Sequence, residues 1–65
     1  MQLTVNGEPR QVAQANLLAL LAELGLNPLA TVVERNGVIV DRAAYQETLL
    51  AEGDVLEIVR IVGGG

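Results

Sequence analysis

Three consecutive glycines, Gly63, Gly64 and Gly65, follow a run of strand-forming residues, Glu57-Ile58-Val59-Arg60-Ile61-Val62. Read as the end of the chain, Gly65 offers one functional group, a backbone carboxylate. Such a carboxylate has an ordinary pKa of about 3.3–3.7, so it is ionised at neutral pH and is a poor electrophile. It becomes reactive when another protein activates it, for instance as an acyl-adenylate. Glycines suit that chemistry, because a residue without Cβ fits a narrow channel and takes dihedrals that others avoid. Fully extended, residues 62–65 reach roughly 13 Å at about 3.3–3.6 Å per residue. Three glycines at an end are also what ordinary fraying looks like, and the other residues must separate the two readings.

No side chain competes for the role. Cys, His, Ser and Lys are all absent. The usual nucleophiles and the commonest general base are therefore missing, as are disulfides and the usual zinc ligand sets. Thr4, Thr31 and Thr48 have no His to activate them, and Tyr45 has no basic neighbour in sequence. Glu52 and Asp54 flank Gly53 and form a conceivable acid/base or metal pair, but an "EGD" stretch ahead of a strand reads better as a solvated, capped turn. Glu23, Glu47 and Glu57 read as solvent-facing residues. The expectation is no catalytic side chain, no metal and no bound cofactor.

The elements that must carry the tail are legible in the periodicity. Residues 2–5 read as a strand, Asn6-Gly7 as a hairpin turn in which both residues tolerate positive φ, and 9–12 as the returning strand, with Pro9 at its start. Leu17, Leu20, Leu21 and Leu24 then mark one helical stripe. Asn16 is placed to cap that helix and Gly25 to end it, with Pro28 discouraging a restart. Residues 30–35 and 38–40 form a second hairpin around Asn36-Gly37. Asp41 is expected to cap a single helical turn through Tyr45, and 55–62 forms the last strand. In it Leu56 and Ile58 alternate with Val55, Val59 and Ile61. With one face given to the helix, Leu56 and Ile58 are assigned to the core. Val59 and Ile61 are left partly exposed beside the tail, as a partner-docking patch; cover by a neighbouring loop is the competing outcome. The order implies an α+β fold, a mixed sheet of about five strands on one main helix, with residues 1–61 as the domain and 62–65 as the tail.

Composition narrows the partners. The chain has 65 residues, enough for one small domain. It has four Arg against eight acids, a net charge of −4. That charge excludes a basic footprint for nucleic acid and disfavours anionic membranes. It fits protein partners that present basic surface. No segment has the roughly 18 apolar residues of a membrane span. The start, "MQLTVNGEPR", has no charged, apolar leader pattern, so a cytoplasmic location is expected.

"MQLTVNGE", the "LLALLAELGL" helix, "VVERNGVIV", Arg42, Tyr45 and "EGDVLEIVRIVGGG" together resemble the ThiS-type sulfur carriers of bacterial thiamine biosynthesis, over the whole length. The resemblance implies the ubiquitin-like β-grasp fold, with the first and last strands side by side in the sheet's centre. It implies that a ThiF-like enzyme uses ATP to adenylate the Gly65 carboxylate. A sulfur donor such as a cysteine desulfurase then supplies the sulfur of a thiocarboxylate, which passes to a ThiG-like thiazole synthase. In this reading Gly64 completes the diglycine, Gly63 extends it, and the chain is a carrier, not an enzyme. The related MoaD carriers are usually longer and often have Pro before the tail, which "IVRIV" lacks. Carriers for cysteine, methionine or tRNA thiolation, a β-grasp interaction module with an inert tail, and an isopeptide-forming modifier stay open.

Overall fold

In the computed structural model, which describes residues 1–62, both Asn-Gly pairs form tight turns with left-handed backbone. Asn6 and Asn36 have φ of 50° and 52°, and Gly7 and Gly37 have φ of 82° and 85°. These are the dihedrals of a two-residue hairpin whose twist matches its strands. The first turn joins β1 (Gln2–Val5) to β2 (Glu8–Gln11), and the second joins β3 (Thr31–Arg35) to β4 (Val38–Ile39). Between the hairpins runs the helix α1 (Leu17–Glu23). The Asn16 side chain caps it, accepting from the Ala19 N–H at 2.8 Å, and Gly25 follows its end with φ 73°. Leu17, Leu20 and Leu21 are fully buried, and Leu24 is half-buried against the same core.

The last strand, β5 (Val55–Arg60), enters between the hairpins and completes a sheet of order β2-β1-β5-β3-β4. It runs parallel to β1 and antiparallel to β3. This is the mixed sheet with adjacent first and last strands that the resemblance implies. α1 covers one face. Leu3, Val33, Leu56 and Ile58 point toward it and, with Val12, Tyr45 and Leu50, complete the core. Each such side chain removed from water contributes about 1.5–3 kcal/mol, and in a domain this small these few residues supply most of what opposes chain entropy.

Several expectations need correction. The last strand ends at Arg60, not at Val62; beyond it, the Ile61 N–H still donates to the Ala30 carbonyl at 2.7 Å. Pro28 begins a single 3-10 turn, Pro28–Ala30, instead of merely preventing one, because the Asn27 side chain accepts from the Leu29 N–H and proline fits a first helical position. The turn after β4, Arg42–Ala44, forms without a side-chain hydrogen bond from Asp41. Pro9 sits one residue inside β2, which it can do because β2 is an edge strand.

Candidate functional site at the end of the last strand

The central position of β5 decides how firmly anything attached to its end is held. At its start, Asp54 is only 6% exposed. The Asp54 carboxylate takes a hydrogen bond and ion pair from the Arg35 Nε at 2.8 Å, an N–H from Ala51 at 2.9 Å and the Asn36 side-chain amide at 3.1 Å. The solvated "EGD" turn is thus corrected: the acid faces inward, because three donors from two segments converge on it. Burial alone would raise the Asp54 pKa; the Ala51 amide, the Asn36 side chain and the Arg35 guanidinium outweigh it and hold the carboxyl below its usual range. Glu52 has a separate task, accepting the Gln2 N–H through both oxygens at 3.1 Å. The two acids do not converge on a common point, and among the described residues no group of three or more acids is placed to hold a metal ion.

At the exit end the support is different. The Asn6 N–H donates to the Leu56 carbonyl at 2.9 Å. Its side chain then acts as one more rung of ladder: the Ile58 N–H donates to Asn6 Oδ1 at 2.7 Å, and Asn6 Nδ2 donates to the Ile58 carbonyl at 3.1 Å. An amide side chain has the same donor and acceptor as a backbone peptide, so it can stand in for a strand residue where β1 has ended. Sequence reading assigned Asn6 to the turn alone. The signal that would have found this second role is the pairing of β1 with β5, which no local pattern contains.

Val59 is 60% exposed and Ile61 48% exposed, while Leu56 and Ile58 are buried. The expected division of the strand therefore holds, and among the described residues no loop covers the outer pair. Val59 lies opposite Val32 on the sheet face away from α1, with Val55 also exposed on that face. Val62, the last described residue, is 93% exposed. Gly63, Gly64 and Gly65, the residues assigned to the reaction, lie outside the described residues. Arg42 and Tyr45 have structural partners. The Arg42 Nε donates to the Pro28 carbonyl, and the buried Tyr45 hydroxyl donates to the Thr31 carbonyl at 3.1 Å, pinning the start of β3. No described helix is long and apolar enough to cross a membrane.

The sequence profile of the ThiS family matches residues 3–65. The chain belongs to the ThiS family. The sulfur carrier protein ThiS of Bacillus subtilis is 46% identical over 46 residues, covering 71% of this chain and 70% of that one. The crystal structure of the thiamine biosynthesis protein ThiS from Geobacter metallireducens superposes with a TM-score of 0.83 at 38% identity, over the full length of both chains. The thiazole synthase of Paramagnetospirillum magneticum is 44% identical over 66 aligned positions that take in this whole chain. The chain spans about a fifth of the length of that relative, and likewise of the thiazole synthase of Magnetococcus marinus. The fold is thus the β-grasp that the resemblance implies, and the glycine run belongs to the matched region.

Proposed function

We propose that this chain is a sulfur carrier for thiazole formation in thiamine biosynthesis, with the Gly65 carboxylate as its cargo site. The observation that carries the reading is the exposed pair Val59, on the central strand, and Ile61, just past its end, which in sequence lead into the glycine run. The domain contributes a handle and a tether, and the chemistry belongs to partners. A ThiF-like enzyme joins the Gly65 carboxylate to the α-phosphorus of ATP and releases pyrophosphate. The outer sulfur of a persulfide delivered from a donor such as a cysteine desulfurase attacks the acyl carbon and displaces AMP, giving an acyl disulfide. A second thiol then cleaves its S–S bond, releasing the thiocarboxylate and leaving the donor's sulfur in a disulfide with that thiol. Sulfur improves on oxygen here because a thiocarboxylate is the softer and stronger nucleophile toward the next acceptor. A thiazole synthase of the ThiG type is that acceptor, a reading supported by the two thiazole synthase relatives that contain a match to the whole of this chain. The chain binds no cofactor in this scheme and is not itself the enzyme.

Intact mass spectrometry tests the proposal. The protein is incubated with a ThiF-like enzyme, ATP, magnesium, a desulfurase with cysteine, and a thiol reductant. The expected product has one sulfur in place of one oxygen, localised to Gly65 by fragmentation. An unchanged mass would sink the carrier reading, and linkage to lysines of other proteins would favour a modifier. Removing Gly64 and Gly65 should abolish the mass change while leaving the fold intact.

A further inference from the structure

On the helix side of the sheet, between the end of α1 and the β1–β2 hairpin, lies an open groove of about 680 Å³. Val5 and Ile58 line its floor, Leu24 and Leu26 one wall, and Arg10 and Arg60 its charged rim; Glu8 is the one acid on it. Val5, Leu24 and Leu26 are only partly covered by the core they pack on. This groove is on the opposite side of the sheet from Val59, so it is separate from the patch assigned to docking above.

The arginines are what make the groove more than a dent. The chain has four, in a net charge of −4. Arg35 is committed to Asp54 and Arg42 to the Pro28 carbonyl. Among the described residues the side chains of Arg10 and Arg60 make no hydrogen bond and no ion pair, and both residues are exposed. The only two uncommitted cations of an acidic domain thus border one apolar hollow. The sheet register fixes their separation. Arg10 lies level with Leu3, and Val5 with Leu56. Arg60 is therefore about six residues beyond Arg10 along the strands, or about 20 Å at about 3.3 Å per residue. A rim cation near each end of an apolar floor complements an extended peptide with carboxylates about six residues apart and apolar side chains between them on the same face.

We propose that this groove is a second docking site, which holds an extended acidic segment of a partner protein, its two carboxylates on Arg10 and Arg60 and its apolar residues on Val5, Leu24, Leu26 and Ile58. Arg60 follows Ile58 on the strand that leads to the tail, so a segment bound here would fix the direction in which that strand is presented. Bidentate pairing suits a guanidinium, which offers a planar fork to each carboxylate.

The probe is the heptapeptide acetyl-Glu-Ala-Leu-Ala-Leu-Ala-Glu-amide, which in extended form puts both carboxylates and both leucines on one side. It is titrated into the 15N,13C-labelled protein and followed by NMR. Saturable shifts are expected at the Leu24, Leu26 and Ile58 methyls and at the Arg10 and Arg60 Nε–H, with Val59 unmoved. Replacing both terminal Glu by Gln should weaken binding about tenfold or more, and raised salt should do the same. R10E/R60E should abolish binding of the acidic peptide and accept one with Lys at both ends; this charge-swap rescue shows that the variant is folded. Absence of saturable shifts, shifts on the Val59 face, or equal binding by the R10E/R60E variant would overturn the proposal. So would the same shifts with inorganic phosphate or a short oligonucleotide, which would mark a site for anions in general.

Discussion

The two hairpin turns carry the same dipeptide in the same conformation, and each sends its asparagine side chain to β5, yet they hold the strand in different ways. Asn36 works at the entrance. Its Oδ1 accepts the Val55 N–H at 2.9 Å, and its Nδ2 joins Arg35 and the Ala51 amide around the buried Asp54. Asn6 works at the exit, where its side chain exchanges two hydrogen bonds with Ile58. The entrance is thus locked by a network whose members depend on one another, whereas the exit, paired with β3 on one side up to Arg60 and Ile61, is held at Ile58 on its β1 side by the Asn6 side-chain amide alone. The anchored end lies far from the tail and the lightly held end lies next to it. A small domain built this way can keep its fold while the exit loosens.

The largest effect should come from the lock. Asp54→Ala removes at one stroke the acceptor shared by three donors, the Arg35 guanidinium, the Asn36 side-chain amide and the Ala51 N–H. The expected loss is about 2–3 kcal/mol, a large share of the roughly 3–10 kcal/mol available to a domain of this size. Urea unfolding should show a lower midpoint with an unchanged slope. A wild-type midpoint would mean that the network is ornamental and the two ends are alike.

The same contrast has a pH signature. The folded Asp54 pKa lies below its unfolded value, and the unfolded value is near 3.9. The folded state therefore binds the Asp54 proton more weakly than the unfolded chain. The stabilisation is fully present above pH of about 4 and is lost as pH falls through the lower folded pKa. Asp54→Asn should flatten this acid limb of the stability curve, whereas Asn6→Gly should leave it as it is in the wild type, shifted down uniformly.

Smaller effects separate the two asparagines. Replacement by glycine keeps the positive φ and removes only the side chain. Asn6→Gly should cost about 1 kcal/mol and Asn36→Gly about 1–2 kcal/mol. Double-mutant cycles with Asp54→Ala sharpen the point: Asn36→Gly should be strongly non-additive with it, since both act on one network, and Asn6→Gly additive to within about 0.5 kcal/mol. Hydrogen exchange should show the Ile58 amide losing protection in Asn6→Gly while the Val55 amide keeps it. Coupling of Asn6 to Asp54 would erase the distinction.

These differences also mark what the sequence could and could not reveal. The turns, the Leu17, Leu20 and Leu21 stripe, the Asn16 cap and the alternation of Leu56 and Ile58 with Val59 are local, each written within a few residues. The resemblance placed β1 beside β5. What stayed hidden depends on contacts between distant segments. Asp54 looked solvated because its cation is 19 residues away, and Asn6 looked like a turn residue because Ile58 is 52 residues away. The strand's end at Arg60 was misjudged for a related reason. Ile61 and Val62 have strand-like side chains, but β3 begins at Thr31, opposite Arg60, and offers no further partner. Of the candidate site, the exposure of Val59 and Ile61 was readable from alternation, while the groove with Arg10 and Arg60 was not, since it needs two strands and the helix end at once.

The smallest stability effect belongs to the outward residues themselves, and it is the most telling for function. Val59 and Ile61 are exposed, so Val59→Asp with Ile61→Asp removes little buried area and should change stability by no more than about 0.5 kcal/mol. Thermal and urea unfolding should barely move, and the Asn6–Ile58 exchange should stay protected. If these two side chains are the handle by which an activating enzyme grips the domain, the same variant should lose most of its sulfur uptake through a raised KM, with the turnover of whatever does bind preserved. A variant that unfolds would show that the residues belong to the core in solution. A variant that stays folded and is charged with sulfur at the wild-type KM would move recognition away from this face, to the glycine run or to the groove between Arg10 and Arg60.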